Sequence, residues 1–185
     1  MKLSSIALSF AAAAVASPIG AVEKRQLSGI TENELSVGSC RDVVFIFARG
    51  STEPATIGAN LLPQGTTTAA IREAQRLFQL ANSKCPNSVV TAGGYSQGAA
   101  VMTGAVSGLS ASVKAQVAGV VLYGNTRQFE TGGRIPNYPQ EDTLIFCNRS
   151  DGVCSAGLTV TPGHLTYNVD VPEAADFLVA RVAAA

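Results

Sequence analysis

Short apolar runs alternate with amphipathic segments along most of the chain. Four apolar runs rich in β-branched residues predict strands at residues 42–48, 87–94, 116–124 and 142–147. The run DVVFIFA at 42–48 is almost continuously apolar, which is typical of a strand covered on both faces. Helical periodicity predicts helices over 67–85, 97–109 and 171–185. Strands that alternate with helices indicate the α/β class, a mostly parallel central sheet between two helical layers.

The first 25 residues have the pattern of targeting and processing segments. Lys2 precedes an apolar stretch that ends in small residues, so residues 1–16 are predicted to be a secretory signal peptide, too short to span a bilayer. The dibasic pair Lys24-Arg25 predicts that residues 17–25 are a short pro-segment. Residues 26–185 then form a single extracellular domain, which is long enough to build a buried core.

Composition excludes several classes of partner. The chain has 13 basic and 13 acidic residues, so its formal net charge is zero, and no basic cluster stands out. We therefore expect no nucleic-acid partner and no stable membrane insertion. Hydrophobic residues make up 46% of the chain and charged residues 14%, which argues against a disordered protein.

The four cysteines form an even set, and in a secreted chain they predict two disulfides. Four cysteines allow three pairings. The six-residue gap between Cys147 and Cys154 favours a local disulfide there, which leaves Cys40 to join Cys85. A zinc site would require more closely spaced pairs or more histidines, and the chain has one histidine. No metal is expected.

The stretch Gly94-Tyr95-Ser96-Gln97-Gly98 lies where the second predicted strand meets the helix 97–109. G-x-S-x-G at such a junction is the nucleophile-elbow pattern, in which a sharp turn exposes a serine at the carboxyl edge of a sheet. The turn requires neighbours without bulk, which explains the two glycines. A glycine-rich corner without catalysis is the alternative interpretation.

A serine hydroxyl is a weak nucleophile unless a base takes its proton, and His164 is the only histidine available. In this architecture the acid lies between the serine and the histidine in the chain, where the candidates are Glu130, Glu141, Asp142 and Asp151. Asp151 follows the last predicted strand and lies between Cys147 and Cys154, so we expect it to be the acid. In the alternative interpretation, Asp151 is an ordinary turn residue and His164 is an exposed loop residue, and neither has a catalytic role.

Three stretches resemble the fungal cutinase family: CRDVVFIFARGSTEP at 40–54, 61–109 with GGYSQGAAVM, and 120–167 with FCNRSDGVC and TPGHLTY. The similarity covers nearly all of the chain after the pro-segment. Members of this family are small secreted serine esterases with a lidless α/β-hydrolase fold, acting on cutin polyester and short-chain soluble esters. The resemblance implies a secreted carboxylic ester hydrolase without metal or organic cofactor, and we expect a monomer.

The resemblance also implies roles for individual residues. Ser96 would be the nucleophile, Asp151 the acid and His164 the base. The backbone N–H groups of Ser51 and Gln97 would form the oxyanion hole, with the Ser51 hydroxyl as a further donor. The family pattern supports both disulfide pairs. Apolar residues that would flank the substrate cleft are Leu61, Leu62, Leu158 and Val160.

The chain departs from the family pattern after RGSTEP. Relatives have a helix and an edge strand there, whereas STEPATIGANLLPQG runs almost directly into the next motif. One helix-and-strand unit is therefore expected to be missing, which would expose apolar surface and an unpaired strand edge. A natural variant and an incorrectly spliced gene explain this pattern equally well.

Two alternative functions remain open at this stage. An acetylxylan esterase could use the same machinery on acetylated sugars. A catalytically silent secreted binding protein is favoured by the shortened chain and disfavoured by the intact serine, aspartate and histidine.

Asn148-Arg149-Ser150 is an N-glycosylation sequon beside the expected acid, Asp151.

Overall fold

The computed structural model describes residues 34–51, 66–155 and 158–185. The predicted signal peptide and pro-segment lie outside these ranges, as do Leu61 and Leu62. Within them, no helix is both long and apolar enough to cross a membrane.

Four parallel strands form one sheet in the order β1-β2-β3-β4. Their bounds are Val43–Ala48 (β1), Val89–Tyr95 (β2), Val117–Tyr123 (β3) and Thr143–Phe146 (β4). These bounds fall within two residues of the predicted strands. Because all strands are parallel, their carboxyl ends meet at one edge of the sheet, and the loops that follow them lie close together.

The helices are α1 Glu34–Val37, α2 Thr68–Lys84, α3 Gln97–Ser107, α4 Ala111–Lys114, α5 Gln128–Thr131 and α6 Val171–Ala183. Two 3₁₀ turns, Pro162–Leu165 and Tyr167–Asp170, precede α6. The three long helices, α2, α3 and α6, confirm the helices predicted from the periodicity of the sequence. The helices α1, α4 and α5 were not predicted, because four residues are too few for a periodic pattern.

Helices cover both faces of the sheet, which gives the three layers expected of the α/β class. On one face, Phe78 of α2 and Met102 of α3 pack in the same buried cluster as Val120 and Leu122 of β3. Side chains of neighbouring residues in a strand point to opposite faces. Accordingly, a Cβ built on Gly119 would meet Leu178 and Arg181 of α6 on the other face.

Strand β1 is the edge strand of the described sheet and is covered on one face only. Ile46 is buried in the core, but Val43, Phe45 and Phe47 on the other face are 41%, 56% and 43% exposed. The same three residues direct their backbone groups away from β2, because in the parallel ladder Val89 N–H donates to Asp42 C=O. The expectation that 42–48 is covered on both faces is therefore wrong, and the exposed face agrees with a shortened chain.

Both disulfides have the expected pairing. Cys40–Cys85 connects the segment before β1 to the end of α2. Cys147–Cys154 closes the loop that leaves β4 at the carboxyl edge of the sheet. The second disulfide thus restrains a loop of six residues between its cysteines, at the edge where a parallel α/β fold places its functional groups.

Candidate active site

Ser96 occupies a sharp turn between β2 and α3. Its backbone has φ 57° and ψ −123°, a strained conformation for a residue other than glycine. A Cβ on Gly98 would clash with the Ala48 carbonyl oxygen, and one on Gly94 would lie 2.6 Å from the Gly98 carbonyl oxygen. The turn therefore requires both glycines of the motif, because the backbone of other residues lies too close for a side chain. This confirms the prediction that the neighbours of Ser96 must lack bulk.

The imidazole of His164 lies against Ser96. Its Nε2 is 2.9 Å from Ser96 Oγ, and the residue is 3% exposed. Tyr95, the residue before Ser96, stacks on the imidazole with ring centroids 5.0 Å apart. The Tyr95 hydroxyl also donates to the His164 carbonyl oxygen at 2.8 Å. Ser96 directly follows β2, and Tyr95, the last residue of β2, contacts both the ring and the backbone of His164.

Asp151 completes a hydrogen-bonded chain from the other side of the imidazole. Its Oδ2 is 2.7 Å from His164 Nδ1, and its side chain is fully buried. Oδ1 accepts the Val153 N–H at 2.8 Å, and the Asp151 N–H donates to the Asn148 carbonyl oxygen at 2.8 Å. The turn inside the Cys147–Cys154 loop thus fixes the direction of the carboxylate.

The other acid candidates lie elsewhere. Glu130 forms an ion pair with Arg127 within 2.5 Å, and this pairing lowers the pKa of its carboxyl group. Asp142 accepts a hydrogen bond from Arg181 of α6 at 2.9 Å, and the same guanidinium donates to the Glu141 carbonyl oxygen. Both precede β4, at the opposite edge of the sheet from Ser96.

The loop after β1 approaches Ser96. A Cβ built on Gly50, the residue before Ser51, would lie 3.5 Å from Ser96 Cβ. Gln97 is the first residue of α3, an eleven-residue helix whose N-terminal end carries partial positive charge. The assignment of Ser51 and Gln97 to an oxyanion hole stays a prediction.

Of the four residues expected to flank the cleft, Leu158 and Val160 lie in the described part of the chain. Leu158 is half-buried and has φ 51°, and Val160 is 65% exposed. Leu61 and Leu62 lie outside the described residues.

Two residues that contact the site were not identified from the sequence. Gly124, directly after β3, has φ 54°, and a Cβ there would lie 2.7 Å from His164 Cε1 and 3.0 Å from Asp151 Oδ2. Tyr167 is buried, and its hydroxyl donates to Asp151 Oδ2 at 2.6 Å. Burial and this contact with Asp151 raise the pKa of Tyr167. No local pattern in the sequence points to this tyrosine, because its hydroxyl reaches Asp151 in a separate loop.

The sequon residue Asn148 takes part in the same network. Its side-chain amide donates to Thr166 Oγ1 at 2.9 Å, and its Oδ1 accepts the N–H and hydroxyl of Ser150. The side chain therefore connects the loop of Asp151 to the segment that carries His164.

In chemical terms, the arrangement couples an alcohol to a buried imidazole and a buried carboxylate. The imidazole can accept the Ser96 proton on Nε2 while Nδ1–H remains bonded to Asp151. This is the requirement for nucleophilic attack on a carbonyl carbon and for acyl transfer.

Comparison with known proteins gives consistent matches. The sequence profile of the cutinase family matches residues 54–182. The probable cutinase 5 of Aspergillus terreus is 42% identical over 207 aligned positions that cover 94% of each chain. The solved structure of a Trichoderma reesei cutinase in complex with a phosphonate inhibitor has a TM-score of 0.66 at 28% identity, covering 77% of both chains.

An acetylxylan esterase structure matches with a TM-score of 0.62 over 78% of this chain and 100% of that one, but at 18% identity it supports the fold alone. The alignment with the Aspergillus relative is longer than the 185 residues of this chain. That relative therefore has stretches without counterpart here, in agreement with a shortened chain.

Proposed function

Since the chain belongs to the cutinase family of carboxylic ester hydrolases, we propose that it cleaves cutin polyester and short-chain soluble esters through an acyl-enzyme on Ser96. The observation that carries this proposal is the continuous hydrogen-bonded chain Ser96–His164–Asp151, with distances of 2.9 and 2.7 Å. All three side chains come from one chain, so the site needs no second copy, and we propose a monomeric enzyme.

His164 Nε2 accepts the Ser96 proton as Oγ attacks the ester carbonyl carbon. Asp151 keeps the Nδ1 proton in place and stabilises the imidazolium that forms. His164 then donates the proton to the leaving alcohol. Water enters, gives one proton to His164 and attacks the acyl carbon. His164 then returns this proton to Ser96 Oγ as the bond between Oγ and the acyl carbon breaks, which releases the carboxylic acid.

The negative charge on the tetrahedral oxygen is stabilised by the backbone N–H groups of Ser51 and Gln97, aided by the Ser51 hydroxyl. Loss of one such donor typically costs about 3–4 kcal/mol of transition-state stabilisation. The N-terminal end of α3 adds partial positive charge at the same place.

The substrate side of the proposal rests on apolar residues. The family resemblance assigns the acyl-chain contacts to Leu158 and Val160, and to Leu61 and Leu62, which lie outside the described residues. The exposed Val160 agrees with a site open to a polymer surface. The predicted signal peptide at 1–16 and pro-segment at 17–25, together with two disulfides, support an extracellular enzyme.

The test is hydrolysis of a nitrophenyl butyrate ester by the chain secreted from a yeast host. Ser96→Ala should lower kcat/KM by about 10⁴-fold or more. Ser83→Ala, a matched control on the exposed face of α2, should retain it. A fluorophosphonate should label the wild type at Ser96, located by mass spectrometry. Folded protein without Ser96-dependent turnover would favour the silent binding protein, and activity confined to acetylated xylan would favour the deacetylase.

A further inference from the structure

The hydroxyl of Tyr167 has a hydrogen-bond direction that the surrounding groups determine. Its oxygen lies 3.1 Å from the Asn148 backbone nitrogen, which can only donate. It lies 3.4 Å from Cys154 Sγ, which carries no hydrogen because it is in a disulfide. The single Tyr167 proton therefore goes to Asp151 Oδ2, at 2.6 Å. This distance is in the range of O–H donors bound to an ionised carboxylate.

Asp151 depends on such donors. Its side chain has no exposed surface, and a buried carboxylate remains charged only if hydrogen bonds replace its hydration. Oδ1 has one donor, the Val153 N–H. Oδ2 has two, His164 Nδ1–H at 2.7 Å and the Tyr167 hydroxyl. Tyr167 thus shares with His164 the oxygen that faces the imidazole.

We propose that Tyr167 is a positioning residue for ester hydrolysis, because its hydroxyl fixes the rotation of the Asp151 carboxylate and shares the negative charge on Oδ2 with His164. The inference rests on the proposed function, since it concerns the Ser96–His164–Asp151 chain. It assigns to Tyr167 an influence on the acid limb of the pH profile of ester hydrolysis.

The direction of the effect follows from competition for Oδ2. Without the Tyr167 hydroxyl, Oδ2 carries more negative charge toward His164 and stabilises the imidazolium more strongly. The acid limb of the pH profile of kcat/KM should then move to higher pH. Other titratable groups near this pair are Tyr95, stacked on the imidazole, and Tyr123, which is edge-on to the Tyr167 ring. The carboxylate of Asp170 acts on Tyr167 through space.

The experiment compares Tyr167→Phe with Tyr138→Phe. Tyr138 is a matched control, because it is also buried and its hydroxyl donates one hydrogen bond, to the Val117 carbonyl oxygen, away from the site. Tyr167→Phe should lower kcat about tenfold at unchanged KM. The acid limb of its kcat/KM profile should move up by about one pH unit. Tyr138→Phe should reproduce any loss of thermal stability but leave kcat and the pH profile unchanged.

A second variant keeps the hydroxyl and tests whether the acid limb of the pH profile moves in the opposite direction. Site-specific 3-fluorotyrosine at position 167 makes the hydroxyl a stronger donor, so the acid limb should move to lower pH. The chain has one histidine, so the downfield proton NMR signal of Nδ1–H needs no further assignment. In Tyr167→Phe this signal should move further downfield, because His164 becomes the only side-chain donor to Oδ2 among the described residues.

Unchanged kcat, pH profile and Nδ1–H signal in Tyr167→Phe would overturn the inference while leaving Ser96-dependent hydrolysis intact. If Tyr167→Phe is unfolded, the fluorotyrosine variant decides, and an acid limb equal to that of the wild type overturns the inference. If the wild type has no Ser96-dependent turnover, the proposed function fails and the catalytic role of Tyr167 fails with it. The NMR comparison then still measures whether Tyr167 competes for Oδ2.

Discussion

Gly124 offers a test of how much precision the site requires. It follows β3 with φ 54°, and its Cα faces the contact between His164 and Asp151. A methyl group there would lie 2.7 Å from His164 Cε1, 2.9 Å from Nδ1 and 3.0 Å from Asp151 Oδ2. Carbon atoms in contact are normally about 3.5–4.0 Å apart. The imidazole must therefore retreat by roughly 1 Å in Gly124→Ala.

Two costs can be separated. The left-handed backbone costs an alanine about 1–2 kcal/mol, which lowers the free energy of unfolding. The displaced imidazole affects catalysis, and a misplacement of about 1 Å costs on the order of 10²-fold in rate. We expect Gly124→Ala to lower kcat/KM about 100-fold, mainly through kcat, because the proton transfer between Ser96 and His164 is misaligned.

Gly132→Ala provides the control. Gly132 has φ 62°, and a Cβ there would have no heavy atom within 4 Å, so the variant has the same backbone strain without the contact. Ester hydrolysis and denaturant unfolding should be measured for both variants. Gly132→Ala should lose about 1–2 kcal/mol of stability. Gly124→Ala should lose at least as much, because the contact with His164 adds a steric cost, and only Gly124→Ala should lose activity. A kcat/KM of Gly124→Ala within threefold of that of Gly132→Ala would refute the reasoning.

Two further predictions concern the disulfides and the sheet edge. Replacing both cysteines of Cys40–Cys85 by alanine should cost about 4 kcal/mol of unfolding free energy, against about 2 kcal/mol for Cys147–Cys154, because the closed loops span 45 and 7 residues. Activity should follow the opposite order, since the smaller loop carries Asp151. Equal activity losses, measured beside denaturant midpoints, would contradict this. Phe45→Lys should suppress self-association at high concentration, measured by light scattering, because β1 exposes an apolar edge face. Phe129→Lys changes a phenylalanine on α5 that is more exposed, 73% against 56% for Phe45. Association unaffected by Phe45→Lys but reduced by Phe129→Lys would disprove the role of β1.

The elements could be predicted because their signals are local. The buried strands are continuous apolar runs in the sequence, and apolar residues recur with a helical period in α2. The predicted bounds of these elements therefore agree with the observed bounds within two residues. The strand β1 was predicted less well. Its sequence is apolar on both faces, but whether a face is covered depends on which other segment packs there, and Val43, Phe45 and Phe47 remain exposed.

The candidate site likewise contains residues that the sequence identified and a choice that only the structure decided. Ser96 and His164 could be identified from the motif and from the lone histidine, and the spacing of Cys147 and Cys154 favoured Asp151. Spacing did not exclude Glu130, which the structure places in an ion pair with Arg127.

The sequence by itself determined the order of the strands and helices, the turn that presents Ser96 and the identity of the only imidazole. Each of these depends on residues a few positions apart, whose steric and hydrophobic preferences act within one element. The tertiary structure alone decided that Gly124 must lack a side chain and that the Tyr167 hydroxyl bonds to Asp151. Those contacts join residues from separate loops, and only the parallel sheet brings the loops to one edge.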